Sequence, residues 1–170
     1  GGAGVAAALF HLWGNSLAKG ALFLSAGNMR RSASGRTSDE VAGLSILAPV
    51  SARIFVVGLL AVTAFPPFGP FFSELLLLRA ALSSNHGLVA AGFLGAVLLA
   101  FFGLTRLGFA IVDGRPRAIS RTGRDRFRES VGTLAPPLAL LAGALWLGLA
   151  TPEILREAWT AASRVLVMAP

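Results

Sequence analysis

At 170 residues, with 55% hydrophobic, 14% charged and a mean hydropathy of +0.72, the chain lies far outside the mix of an ordinary soluble domain. The absence of cysteine excludes disulfides and thiolate metal sites, and two histidines make a poor metal centre, so neither a metal nor another cofactor is expected. A net charge of +7 would suggest nucleic acid as a partner of a soluble protein, but most of the arginines fall in two loops between apolar spans, which points to membrane orientation and to no nucleic-acid partner.

The chain opens "GGAGVAAALF" without a methionine or a charged leader, which suggests a fragment of something longer. A first membrane span is expected over about residues 4–27. Within it "FHLWGNSLAKGALFL" (10–24) carries His11, Asn15 and Lys19 at four-residue steps, one polar stripe along a helix face. A polar linker, "NMRRSASGRTSDE" (28–40), follows. From Gly43 to Leu82 the chain is apolar for about 60 Å if helical throughout, about twice the hydrocarbon thickness of a bilayer. It is interrupted by "FPPFGP" (65–70), where Pro66, Pro67 and Pro70 remove backbone donors and Gly69 removes a side chain. The piece after the break, 71–82, is too short to span alone, so 43–82 reads as one crossing made of two half-helices.

A third span is expected over about 88–112 and a fourth over about 133–150, separated by the basic loop "DGRPRAISRTGRDRFRES" (113–130). The last stretch, 151–170, sets Ile154, Leu155, Ala158, Trp159, Ala162, Val165 and Leu166 near one face and Glu153, Arg156, Glu157 and Arg164 elsewhere. This amphipathic pattern suits a membrane surface or a partner. The expected architecture is an all-α membrane protein of about four transmembrane helices, the second discontinuous at Pro66-Pro67. A bundle over 1–150 is followed by an amphipathic C-terminal segment over 151–170. If 43–82 crosses once, the loops 28–40 and 113–130 share one side, which the positive-inside rule makes cytoplasmic, and "SSNHG" (83–87), without Lys or Arg, lies on the other. The chain would then be a multi-pass protein of the cell (inner) membrane.

A lysine near mid-bilayer persists only when it pairs, hydrates or titrates, which makes Lys19 a functional candidate. Glu74 follows the proline break, where it reads as belonging to the first turn of a half-helix, flanked by Phe71, Phe72 and Leu75. Such titratable groups can pass protons through trapped water. Arg53, Arg79 and Arg106 lie near enough to span ends to be anchors, and His86 falls in a loop.

"HLWGNSLAKGALFLSAGN", followed later by "PPFGPFFSE", resembles the antiporter-like, proton-conducting subunits shared by respiratory complex I, multisubunit sodium/proton antiporters and formate-hydrogenlyase-type hydrogenases. The "AGN" and the Glu of "FFSE" make the hydrogenase-associated branch look nearest. The resemblance covers about residues 5–82. It implies that Lys19 corresponds to the central lysine of a hydrophilic axis, His11 to the first histidine of an H-x3-H-x3-K motif, and Glu74 to the charged residue of a broken helix. Asn15 stands where a second histidine is usual, and it can hold water but cannot be protonated. Family members are much longer and built from inverted repeats, of which this chain resembles only the final spans.

The leading expectation is the C-terminal part of a proton-translocating subunit in a membrane-bound respiratory or hydrogenase complex. Its relay residues would be Lys19, His11, Asn15 and Glu74, its partners other membrane subunits, and its surroundings the lipid bilayer. One alternative is a subunit of a multisubunit Na+/H+ antiporter, moving Na+ as well as protons. Another is a non-conducting membrane anchor that docks partners through 113–130 and the terminal helix. No nucleophile–base pair, phosphate loop or metal cluster suggests catalysis by this chain, so any enzyme role would be that of an ion-translocating subunit in an oxidoreductase complex.

Overall fold

The computed structural model describes residues 2–32, 44–113, 129–150 and 153–168, and the described residues form seven helices and no strand. The arginines of the 113–130 loop therefore lie outside the described residues, as do the side chains of Ile154, Leu155, Val165 and Leu166.

Helix α1 (Gly2–Ser32) is rich in Ala, Leu and Gly, has no proline, and ends with Arg30 and Arg31 against the negative end of its dipole. A short α2 (Leu44–Leu47) gives way at Ala48 to α3 (Pro49–Val62), because a proline lacks the N–H that would continue the preceding helix and is preorganised to begin a new one. At the other end of α3, Ala64 adopts a left-handed conformation (φ 56°) and the N–H of Phe65 reaches the Leu60 carbonyl at 2.9 Å. This is the closing bond of a Schellman turn, with alanine in the place glycine usually takes. Pro66 and Pro67 then bar further helix.

Helix α4 (Gly69–Ser83) starts with Pro70 in its first turn, where a missing N–H costs nothing. Pro70 thus opens the second piece and is not part of the gap. Glu74, expected in the first turn, sits in the second for the same reason. α4 closes with Asn85 in the left-handed region (φ 60°) and with bonds from His86 N–H to the Ala81 carbonyl (3.0 Å) and from Asn85 N–H to that of Leu82 (3.1 Å).

Two helices are long and apolar enough to cross a membrane, over Gly87–Val112 and Val131–Leu149. They lie in α5 (Gly87–Asp113) and α6 (Val131–Leu149), at the places expected of the third and fourth spans. α1, at 31 residues, has the length, but its glycines and polar stripe keep its hydropathy below theirs. α7 (Glu153–Met168) completes the chain, with Glu153, Arg156, Glu157 and Arg164 exposed.

α1 is the central element, packed against α3, α4, α6 and α7, whereas α5 leans on α2, α3 and α4 and leaves most of its surface uncovered. The main core joins Ala18 and Ala21 of α1 to Ile54, Ala61, Phe68, Leu141 and Ala144. Small residues let backbones approach, the usual means of helix association in membranes. A Cβ built on Gly58 would sit 3.3 Å from Leu22 Cα. One built on Gly148 would overlap the Pro67 carbonyl oxygen, and one on Gly14 would lie 3.2 Å from Pro70 Cδ. The segment between α3 and α4 is therefore held between α6 and α1 by glycines on both sides.

Candidate functional site: a cavity beside the interrupted helix

The gap between α3 and α4 opens a cavity of about 260 Å³, lined by His11 from α1, Val62 and Thr63 at the end of α3, Glu74 of α4, and Phe93, Ala96, Val97, Ala100, Phe101 and Leu104 of α5. Its walls are apolar apart from three side chains, and those three come from three separate parts of the chain. His11 and Glu74 are half-buried and Thr63 is buried.

The hydrogen bonds fix the orientation of His11. Ser73, fully buried in α4, donates its one hydroxyl proton to the Pro70 carbonyl at 2.8 Å. Its oxygen therefore accepts from His11 Nδ1, 3.0 Å away, so that nitrogen carries a proton and Nε2 of a neutral ring is left as an acceptor. Thr63 is similarly committed, donating to the Leu59 carbonyl at 2.8 Å. Its lone pairs remain to accept from a guest in the cavity. A histidine with a free acceptor, a carboxyl group and a hydroxyl around a space large enough for several waters can hold a short hydrogen-bonded chain and exchange protons along it.

The other residues expected at the site are distributed differently. Lys19 lies on the exposed face of α1 with Leu12, Trp13, Ser16 and Phe23, two turns along from His11 and about 12 Å up the axis. Asn15, between them, is half-buried. Pro66 and Pro67 are exposed at the gap, and Gly69 and Pro70 are buried. Arg53, Arg79, Arg106 and His86 are exposed. Thr63 and Ser73 escaped the sequence reading, although Ser73 stands beside Glu74 in "FFSE" and Thr63 closes the helix just before the prolines.

A second polar centre lies at the end of α3 away from the gap. The Glu129 carboxylate accepts the N–H groups of Val50 (3.1 Å) and Ser51 (2.6 Å), two of the donors that a helix N-terminus leaves without partners. Partial burial opposes ionisation of Glu129, but hydrogen bonding from Ser51 and Val50 and the nearby Arg53 charge outweigh it, holding this carboxyl below the usual glutamate range. Four residues on, the Asn28 amide donates to the Thr133 carbonyl at 2.8 Å. That carbonyl needs an outside donor, because its helical partner would be the N–H of residue 137, which is proline.

Residues 1–100 match the family model for the NADH:quinone oxidoreductase/Mrp antiporter transmembrane region. Formate hydrogenlyase subunit 3 of Escherichia coli (strain K12) is 28% identical over 138 residues, 81% of this chain and 23% of that protein. NADH-quinone oxidoreductase subunit L of Rickettsia typhi is 29% identical over 143 residues, 84% of this chain and 22% of the relative. The chain thus spans less than a quarter of the length of either. Among solved structures, the Mrp complex from Dietzia sp. DQ12-45-1b contains a chain that superimposes with a TM-score of 0.78 at 24% identity, over 96% of this chain and 38% of its own. With the family model covering more than half of its length, the chain belongs to the NADH:quinone oxidoreductase/Mrp antiporter transmembrane family.

Proposed function

We propose that this chain forms the C-terminal part of a proton-translocating, antiporter-like subunit of a membrane-bound respiratory or hydrogenase complex, and that His11 and Glu74 are members of its relay. The observation that carries the reading is the meeting of these two titratable groups, from helices far apart in sequence, at one cavity where a helix is interrupted. The protonated Nδ1 of His11 is held by Ser73, so its Nε2 is the group that takes or gives a proton through water to Glu74. Lys19, on the uncovered face of α1, would extend the relay towards spans that the longer relatives supply. Asn15 would hold water between them.

In this reading the chain crosses the membrane four times, with α3 and α4 as the halves of the second crossing. At 14 and 15 residues each half is about 22 Å long, too short for a hydrocarbon core of about 30 Å, which supports a shared crossing. The loops 28–40 and 113–130 lie in the cytoplasm, and the bundle of 1–150 meets other membrane subunits. The chain itself carries out no redox chemistry.

Replacing Glu74 by Gln in the complete assembly, within inverted vesicles, is expected to abolish proton uptake while subunit composition is unchanged; uptake at the original rate would overturn the relay. Lys19→Ala is expected to do the same, and normal pumping in both variants would favour the anchor role. The likeness to the Mrp complex supports a second reading, in which the ion exchanged is Na+. Proton movement that follows a Na+ gradient with no electron donor present would select it.

A further inference from the structure

We infer that Glu129 is a positioning residue that sets the place of α3 and, through it, the Thr63 wall of the cavity. The inference rests on the reading of the cavity as the relay site, but its test does not need ion transport.

Three observations combine. The Glu129 carboxylate is fastened to the first free N–H groups of α3, on Val50 and Ser51. Glu129 immediately precedes Ser130, the cap of α6, whose N–H accepts support from Thr133 Oγ1 at 3.0 Å, so it is tied to a rigid helix start. That same start is pinned to α1 by the bond from Asn28 to the Thr133 carbonyl. Residues 129–133 therefore join α1, α3 and α6 at one level.

From Ser51 to Thr63 is about 18 Å of continuous helix. At its far end Val62 and Thr63 line the cavity opposite His11 and Glu74. Between the two ends α3 is held to α1 mainly by small-residue contact, Gly58 against the Leu22 backbone, which limits separation but resists sliding along the axis only weakly. The charge-assisted bonds of Glu129 are the directional restraint on that sliding. Releasing them frees the helix as a unit, and the cavity wall moves with it.

The chain has no cysteine of its own, so single cysteines report cleanly once any in the partner subunits are accounted for. In the membrane-embedded complex, Ser51→Cys marks the fastened end of α3 and Val62→Cys the cavity end. Maleimide modification of each is timed with Glu129 intact and with Glu129→Ala, Glu129→Gln or Glu129→Asp. Glu129→Ala is expected to accelerate labelling at both positions by about fivefold or more, as loss of a helix cap worth a stability change of that order would do. Gln, which keeps an acceptor oxygen without the charge, should fall between, and Asp should recover part of the protection. Acceleration at position 51 alone would show that Glu129 only caps the helix, and no acceleration at either would remove it as a restraint; both overturn the proposal. If Glu129→Ala fails to assemble, the ratio of the two rates in Glu129→Gln decides. Absence of ion transport in the unmodified complex would defeat the relay reading and leave this result standing.

Discussion

At the scale of single residues, the polar atoms outside the cavity answer specific defects in backbone hydrogen bonding. Pro137 removes the donor that would have served the Thr133 carbonyl, and Asn28 supplies another at 2.8 Å. Asn28→Ala is therefore expected to destabilise the chain by about 1–3 kcal/mol, the cost of an orphaned buried acceptor. Made in a Pro137→Ala background, where an N–H is restored four residues along the helix, the same change should cost clearly less. The coupling is read from a double-mutant cycle of unfolding in detergent, and simple additivity would contradict it. Glu129 has a different signature. Its carboxyl is held below the ordinary range in the folded protein, so its contribution is complete above the unfolded glutamate pKa and disappears as pH falls through the lower, folded value. The difference in thermal midpoint between the native chain and Glu129→Gln should be constant near pH 7 and vanish by about pH 3. A difference that persisted in acid would mean that charge is not what holds α3.

At the scale of elements, the interrupted helix depends on the absence of side chains as much as on proline. Prolines explain why α3 cannot run on into α4, but they do not bring the gap into the bundle. Glycine does: α6 passes so close to Pro67 that a Cβ at Gly148 would overlap its carbonyl oxygen, and Gly14 admits Pro70 from the side of α1. Gly148→Val is expected to push α6 from the gap and to cost at least about 1–3 kcal/mol, the range for overpacking, with the midpoint of thermal unfolding lowered accordingly. Gly92, on the open side of α5, faces free space, and Gly92→Ala should leave the midpoint unchanged or raise it slightly, since alanine favours helix. Equal effects at the two positions would mean that the close approach of α6 is unimportant. The positions of α5 and α6 were readable from their apolar runs, and the gap from Pro66 and Pro67. What no run or period could indicate was that Pro70 belongs to the following helix, that Thr63 and Ser73 supply polar atoms at the cavity, or that Glu129, one acid in a basic loop, reaches back 78 positions to Ser51. Contacts of that kind depend on which helix ends meet in space, and helical periodicity carries no record of it.

At the scale of the whole molecule, this family member is an all-helical, multi-pass membrane protein arranged around α1, and the faces of α1 are not equivalent. Three sides are covered by α3, α4 and α6, the Lys19 side is uncovered, and the N-terminal half also carries α7. α7 touches no other helix, and its anchor is Trp159, buried to 7% exposure and stacked on Phe10 with ring centres 4.8 Å apart. An amphipathic helix could equally have lain on the bilayer surface; the sequence pattern shows an apolar face but not what covers it. The stack with Phe10 gives α7 a protein partner within the same chain, and on the helix that also bears His11. Truncating a buried tryptophan to alanine costs about 3–5 kcal/mol, more than a 16-residue helix held along one side can absorb. Trp159→Ala should therefore undock α7 without melting the bundle. Limited trypsin digestion of detergent-solubilised protein is expected to cut after Arg156 and Arg164 several times faster in this variant, while the main unfolding transition stays in place. Trp159→Phe, which preserves an aromatic stack, should stay protected. Unchanged cleavage after Trp159→Ala would mean that the undescribed apolar side chains of α7, and not the stack, hold it in place. A lowered bundle transition would mean that α7 is an integral part of the core, and that α1 depends on it for its own position beside the cavity.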